Sequence, residues 1–152
     1  MKILYIVKDF SDMKILYIVN GYYPRIGGVE YVVKSIAERL VKRGHDVTVI
    51  AGEPEAKEPH EEEVNGVSVT RWPTWSPGGA YHLPRSRKRL ESLLKNELHD
   101  TNVVHIHSVH SILSVWSGLK VKREFNYKGE LVITPHYHGT GHTLIRRTLW
   151  IP

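Results

Sequence analysis

The sequence of residues 13–52, MKILYIVNGYYPRIGGVEYVVKSIAERLVKRGHDVTVIAG, predicts a strand, a loop, a helix and a second strand. Residues 15–19 are a continuous apolar run, typical of a strand buried on both faces of a parallel sheet. In the helix, apolar residues recur at spacings of three and four and so form one stripe. Those residues are Val29, Val32, Val33, Ile36, Ala37, Leu40 and Val41. Gly44 ends the helix and residues 46–50 form the second strand, which completes a βαβ unit.

The loop ahead of this helix ends in the pair Gly27 and Gly28. Free N–H groups and the dipole at a helix N-terminus favour an anion, and glycine lets a phosphate approach the backbone. The alternative is that the two glycines only make a tight turn and a close helix–strand contact. The dinucleotide fingerprint G-x-G-x-x-G is absent, although Glu53 has the position of a ribose-binding acid.

Composition limits the class of protein. The chain has 152 residues, of which 41% are hydrophobic, the size of one domain with a sizeable core. It has no cysteine, which excludes disulfides and fits a reducing compartment. No apolar run reaches the roughly 18 residues of a membrane span and no signal peptide is recognisable, so we expect a cytoplasmic protein. The net charge of +5 suits an anionic partner, and the scarcity of methionine and glutamine favours a thermophilic source.

Residues 1–7, MKILYIV, are repeated letter for letter at residues 13–19. The five residues between the copies are too few for a parallel crossover, which needs a dozen or more residues. The second copy precedes the glycine pair at the right distance, so we expect it to be the central strand. Residues 1–12 are then an added duplicate that is disordered, pairs at a sheet edge, or enters a partner chain and causes self-association.

Three further strands are predicted at residues 67–72, 102–108 and 131–135, and residues 53–65 are predicted to be a surface loop. Ser111 is a candidate cap for a helix whose apolar stripe is Ile112, Val115, Trp116 and Leu119. Alternating strand and helix signals with right-handed crossovers predict an α/β, Rossmann-like open parallel sheet in the order 3-2-1-4-5, with helices on both faces.

Residues 73–84 form a loop rich in proline, glycine and aromatic residues. If their rings are exposed, Trp75, Tyr81 and His82 suit stacking on a sugar or another acceptor. The alternative is that Trp75 pins the loop to the core, since tryptophan is highly buried on average.

Four cations, Arg85, Arg87, Lys88 and Arg89, open the helix that carries Leu90, Leu93, Leu94 and Leu98. The simplest explanation is that these four cations are solvent-exposed residues at the start of the helix. Cations are unfavourable at a helix N-terminus, however, so the patch also suits contact with an anion or an acidic membrane surface.

Six histidines lie at positions 105, 107, 110, 136, 138 and 142, at or beyond the carboxyl ends of the last two strands. In an open α/β sheet this is the ligand-binding edge. Zinc is one explanation, but the sequence offers no cysteine, no H-E-x-x-H and no paired carboxylate, so we predict no metal.

The combination of G-Y-Y-P-R-I-G-G-V-E, an amphipathic helix and R-G-H-D-V resembles the N-terminal domain of the retaining, GT-B-fold glycosyltransferases of group 1, or family 4. The resemblance covers about residues 13–150. It implies an N-terminal, acceptor-side domain at residues 13–152, the N-terminal half of a GT-B fold. The implied reaction is transfer of a sugar, of hexosyltransferase type, from a nucleoside-diphosphate sugar to a glycan or lipid acceptor without a cofactor or metal.

The resemblance also implies roles for individual residues. His136, in V-I-T-P-H-Y-H, lines the donor sugar pocket and is the catalytic candidate; His107 faces the same pocket, and Gly27 and Gly28 hold the diphosphate. The family's second domain, with its acidic E-x7-E element, is missing, so we expect this chain alone to be inactive. Two other classes stay open: a nucleotide-binding regulatory Rossmann domain and a nucleic-acid-binding module.

Overall fold

The structure, a computed structural model, describes residues 12–79 and 81–136. The repeat at residues 1–7 and the histidines at 138 and 142 lie outside this range. The strands are β1 (Lys14–Val19), β2 (Asp46–Glu53), β3 (His60–Val64), β4 (Val67–Trp75), β5 (Leu83–Pro84), β6 (Val103–His107) and β7 (Glu130–Thr134). The helices are α1 (Gly28–Val41), α2 (Arg87–Glu97) and α3 (Ile112–Arg123), with a 3-10 turn at Pro77–Gly79.

The sheet has the strand order β3-β4-β2-β1-β6-β7, and the short β5 pairs with β4. β1 lies at the centre, where Tyr17 pairs with Val49 of β2 on one side and His105 of β6 on the other. The pairs β2–β4 and β6–β7 are also parallel. The predicted parallel order 3-2-1-4-5 is therefore confirmed.

Residues 53–65 are not simply a surface loop, as the sequence had suggested. β3 pairs antiparallel with β4 through a turn at Asn65 and Gly66, whose φ values of 54° and 81° suit a tight hairpin. Four of the five residues of β3 are exposed, so the strand carries no hydrophobic alternation. A charged edge strand of this kind is stabilised by its backbone pairing and resists further pairing by another chain.

Two apolar layers sandwich the sheet. On one face α1 packs through Val33 and Ala37 against Tyr17, Val49 and Val69. On the other face α2 and α3 cover the alternate residues of the same strands. These include Leu16, Ile18, Ile50, Val104 and Ile106, with Leu90, Leu94, Leu113 and Val121 from the helices. Helices on both faces, as predicted, leave the carboxyl edge of the sheet open for a site.

The predicted apolar stripe of α3 is wrong at three of its four residues, and only Trp116 packs against the core. Ile112, Val115 and Leu119 are between 39% and 47% exposed. The face that packs on the sheet contains Leu113, Ser114, Ser117, Gly118 and Val121. Ser111 does cap the helix, since its side chain accepts from Ser114 N. The rotation of the helix is set by small residues and by N–H bonds from Ile112 and Leu113 to the carbonyls of residues 81 and 82.

Gly52 marks a close approach under the carboxyl edge. A Cβ at this position would lie 2.7 Å from the carbonyl oxygen of Asn20 and 2.9 Å from Nδ1 of His82. We expect Gly52→Ala to destabilise the chain by about 1–3 kcal/mol, because the backbone cannot yield easily. Urea unfolding measures the change.

Gly118→Ala is the matched control. Its Cβ would meet only Cδ1 of Ile106, the movable end of a side chain, at 2.6 Å. We expect Gly118→Ala to lose less stability than Gly52→Ala. Equal losses would contradict the interpretation that Gly52 is required by a close backbone approach.

Candidate functional site

A cleft of about 490 Å³ opens at the carboxyl edge of the parallel strands. The loops that follow β1, β6 and β7 and the loop between β4 and β5 all contribute to it. Its lining includes Asn20, Gly28, Glu30, Tyr81, His82, Ser108 and His136. Residues more than a hundred positions apart thus meet at the edge where open α/β sheets bind ligands.

The structure brings Gly28, Tyr81, His82 and His136 together around this cleft. Tyr81 is exposed, whereas His82 is buried and its Nδ1 lies 3.2 Å from Oγ1 of Thr74. His82 is therefore no exposed stacking ring.

Trp75 is 57% exposed at the end of β4 and is not among the described residues that line the cleft. The alternative in which Trp75 pins its loop to the core is wrong. The buried tryptophan is Trp72, whose Nε1 donates to the carbonyl of Arg85 at 2.8 Å.

The two glycines at the start of α1 differ in their surroundings. Gly27 is the N-cap, and the buried carboxylate of Glu30 fills the space that a side chain on Gly27 would occupy. Nδ2 of Asn20 donates to Oε1 of Glu30 at 3.2 Å. No described atom lies within 4 Å of a Cβ built on Gly28. Glu30 already complements the helix dipole beside Gly27, so the open approach to the helix end is over Gly28.

Arg71 of β4 holds the loop between β1 and α1, a role that the sequence analysis missed. Its side chain is 3% exposed, and its guanidinium donates to the carbonyls of Tyr22, at 3.2 Å, and Tyr23. Its charge is met by Glu62 of β3 at 2.6 Å and by Glu53 at 3.8 Å. The sequence did contain a signal for this role. Arg71 follows Val69 by two residues in a strand, so both side chains lie on the same inward face, where an arginine needs polar partners.

The histidines on β6 form a cluster with His136 from the loop after β7, and His107 is the buried member of this cluster. The ring of His107 lies 4.1 Å from that of His105 and 5.0 Å from that of His136, centroid to centroid. Nδ1 of His107 is 2.7 Å from Nε2 of His136, and Nε2 of His105 is 2.8 Å from Oγ1 of Thr134. Burial, aided by the neighbouring histidines, lowers the pKa of His107 to about 3, so this ring is neutral at pH 7.

Within the described part of the chain, no group of three or more histidine, aspartate or glutamate residues is arranged to hold a metal ion.

Four residues of the cleft have a left-handed backbone: Tyr81, His82, Ser108 and His136, with φ values of 69°, 33°, 68° and 48°. Such conformations cost roughly 1–3 kcal/mol each and persist only where the surroundings impose them. Here the carbonyls of Tyr81 and His82 accept from the first turn of α3, and Ser108 N donates to the carbonyl of Thr134. Clustered strain of this kind is typical of functional sites.

The basic patch lies on the surface. Arg85, Arg87, Lys88 and Arg89 are exposed, and Arg89 forms an ion pair with Glu58 at 2.6 Å. Contact of this patch with an anion or membrane stays a prediction. No helix among residues 12–79 and 81–136 has the length and apolarity to span a bilayer.

An open parallel sheet with a polar cleft at its carboxyl edge defines a Rossmann-like α/β domain. Residues 26–151 match the family model described as Glycosyltransferase Family 4. The chain belongs to this family, as its motifs had suggested. Over 62 residues it is 40% identical to an "Uncharacterized 42.6 kDa protein in cps region" of Klebsiella pneumoniae. That alignment spans 40% of this chain and 16% of the relative.

Removing Arg71 tests its role in the loop. We expect Arg71→Met to destabilise the chain by about 1–3 kcal/mol, because the carbonyls of Tyr22 and Tyr23 lose a donor and the partly exposed Glu53 and Glu62 lose their partner. Arg89→Met, at an exposed ion pair, is the control and should cost less than about 1 kcal/mol. Denaturant unfolding of both variants measures the difference; comparable small losses would show that Arg71 does not brace the loop.

A second prediction concerns pH. Burial, aided by the nearby Arg25 guanidinium, lowers the pKa of His82 to about 4, below the value near 6.5 expected when unfolded. Between these two values the unfolded chain binds more protons. The stability contribution of neutral His82 is therefore complete above pH 6.5 and is lost as pH falls, by up to about 1.4 kcal/mol per pH unit.

His82→Asn should flatten this part of the stability profile, measured by urea unfolding between pH 7 and pH 4. The exposed His60, replaced in the same way, is the control. An unchanged slope in His82→Asn would contradict the prediction.

Proposed function

We propose that the protein to which this domain belongs transfers a sugar from a nucleoside-diphosphate donor to an acceptor with retention of anomeric configuration. Family membership supports the reaction class. The observation that carries the proposal is one cleft that combines the open helix start at Gly28 with the imidazole of His136.

The chemistry assigns a part to each side of the cleft. As the bond from sugar to diphosphate breaks, negative charge develops on the leaving phosphate. The N–H groups and dipole at the start of α1 stabilise that charge without reorganisation, because they are already oriented. The approach over Gly28 is open, while Gly27 is packed against Glu30 and maintains the turn.

The imidazole of His136 orients the hydroxyl groups of the donor sugar. Tyr81, on the loop between β4 and β5, lies on the side that would receive the acceptor, and the exposed ring of Trp75 offers a further stacking surface for a glycan or lipid-linked sugar. The reaction in this assignment uses neither a cofactor nor a metal.

The 152-residue chain by itself is expected to be inactive, because a GT-B cleft is completed by a second domain that carries most nucleotide contacts. Phosphate contacts from α1 alone should give millimolar binding, which corresponds to only about 4 kcal/mol.

One other function has an observation in its favour. The open helix end at Gly28 equally suits a nucleotide-binding regulatory domain without transfer activity. Such a domain would bind a free nucleotide as well as a nucleotide sugar, and the full-length protein would release no transferred sugar.

A panel of labelled nucleoside-diphosphate sugars, assayed with the full-length enzyme in the presence of a chelator, tests the proposal. We expect transfer with retained configuration from at least one donor, and a loss of about 100-fold in kcat/KM for Gly28→Leu. The added side chain enters open space, so the stability of the variant should not fall.

Tyr31→Leu, at an exposed position one turn further along α1, is the control and should keep full activity. Strict metal dependence, inverted product, or full activity in Gly28→Leu would overturn the proposal.

A further inference from the structure

The contact between His107 and His136 requires one shared proton. Nδ1 of His107 and Nε2 of His136 are 2.7 Å apart, so one nitrogen carries a hydrogen and the other offers its lone pair. In one arrangement His107 donates, and a neutral His136 then has its proton on Nδ1. In the other arrangement His136 donates from Nε2, and its Nδ1 is a bare acceptor.

The surroundings of His107 distinguish these arrangements. The side chain is 1% exposed, and its Nε2 is buried with no hydrogen-bond partner among the described residues. If His107 accepted through Nδ1, its own proton would lie on Nε2, a buried N–H without an acceptor. If His107 donates through Nδ1, Nε2 holds only an unpaired lone pair. Orphaned buried N–H groups are rarer than under-satisfied acceptors, so the donating arrangement is favoured.

The ring of His107 also contacts those of His105 and Tyr17. The ring of His105 is tilted against that of His107, and its Nε2 is engaged with Oγ1 of Thr134. The centroid of the Tyr17 ring lies 5.6 Å from that of His107, and the two rings are tilted by 42°. Desolvation disfavours the imidazolium form of His107.

We propose that His107 is a positioning residue, which donates Nδ1–H to Nε2 of His136 and so holds His136 as the neutral tautomer with its proton on Nδ1. The two nitrogens of an imidazole lie on different edges of the ring, so the proton of His136 points away from His107. Nδ1 of His136 is then a hydrogen-bond donor, so any ligand group that meets it must be an acceptor, such as a hydroxyl or phosphate oxygen. This last step rests on the proposed function.

The tautomer is measurable without any ligand or activity. In the chain labelled with 15N-histidine, two-bond 1H–15N spectra distinguish a protonated ring nitrogen from a bare one. The signals of His136 are assigned by their loss in His136→Gln. We expect Nδ1 of His136 to be protonated and Nε2 to be bare.

Two variants test whether His107 sets this state. His107→Asn keeps an N–H donor close to the position of Nδ1, and the tautomer of His136 should be retained. His107→Asp offers only an acceptor, and the proton of His136 should appear on Nε2. His105→Asn, which removes the neighbour bonded to Thr134, is the matched control and should leave His136 unchanged.

A wild-type His136 with its proton on Nε2 overturns the proposal. If His107→Asp does not fold, the spectrum of the wild-type chain is sufficient to decide between the two tautomers. An unchanged His136 in folded His107→Asp overturns it as well. Because no substrate is used, these results are independent of the sugar-transfer assay. In the full-length enzyme, His107→Asn should retain transfer and His107→Asp should lose at least about tenfold in kcat, as expected for one misdirected hydrogen bond.

Discussion

The guanidinium of Arg71 is the interaction on which the geometry of the cleft depends. A loop that carries buried carbonyls needs donors, and Arg71 supplies them to Tyr22 and Tyr23 from inside the sheet. Burying this charge is tolerable only because Glu62 and Glu53 are close to it. The acidic edge strand β3 therefore has a structural purpose: it neutralises the cation that positions the start of α1.

The cleft itself combines groups that reduce stability with a scaffold that compensates for them. Left-handed residues, neutral buried histidines and Nε2 of His107, which has no hydrogen-bond partner among the described residues, all carry a cost. The central strands that support them are packed on both faces by α1 and by α2 with α3. Well-packed strands that carry strained loops at their carboxyl ends are the arrangement expected when side chains must be preorganised for a ligand.

Much of the fold could be predicted from sequence because buried parallel strands have a strong local signal. The apolar run before Asn20 and the spacing along α1 suffice for the βαβ unit, and crossover handedness orders the five strands. β3 was not predicted because its sequence has no hydrophobic alternation. It is a strand because it pairs with β4. The buried face of α3 escaped because serine and glycine pack there, while Val115 and Leu119 stay exposed.

By itself, the sequence determined the α/β class, the strand order and the family, and it indicated the edge of the sheet at which the cleft lies. Only the tertiary structure decided which side chains meet there. It separated Gly27, packed against Glu30, from the open Gly28, brought Arg71 to carbonyls almost fifty residues earlier, and joined His107 to His136. Local propensity and periodicity act over a few residues, whereas these contacts arise from chain segments that meet only when the sheet has formed.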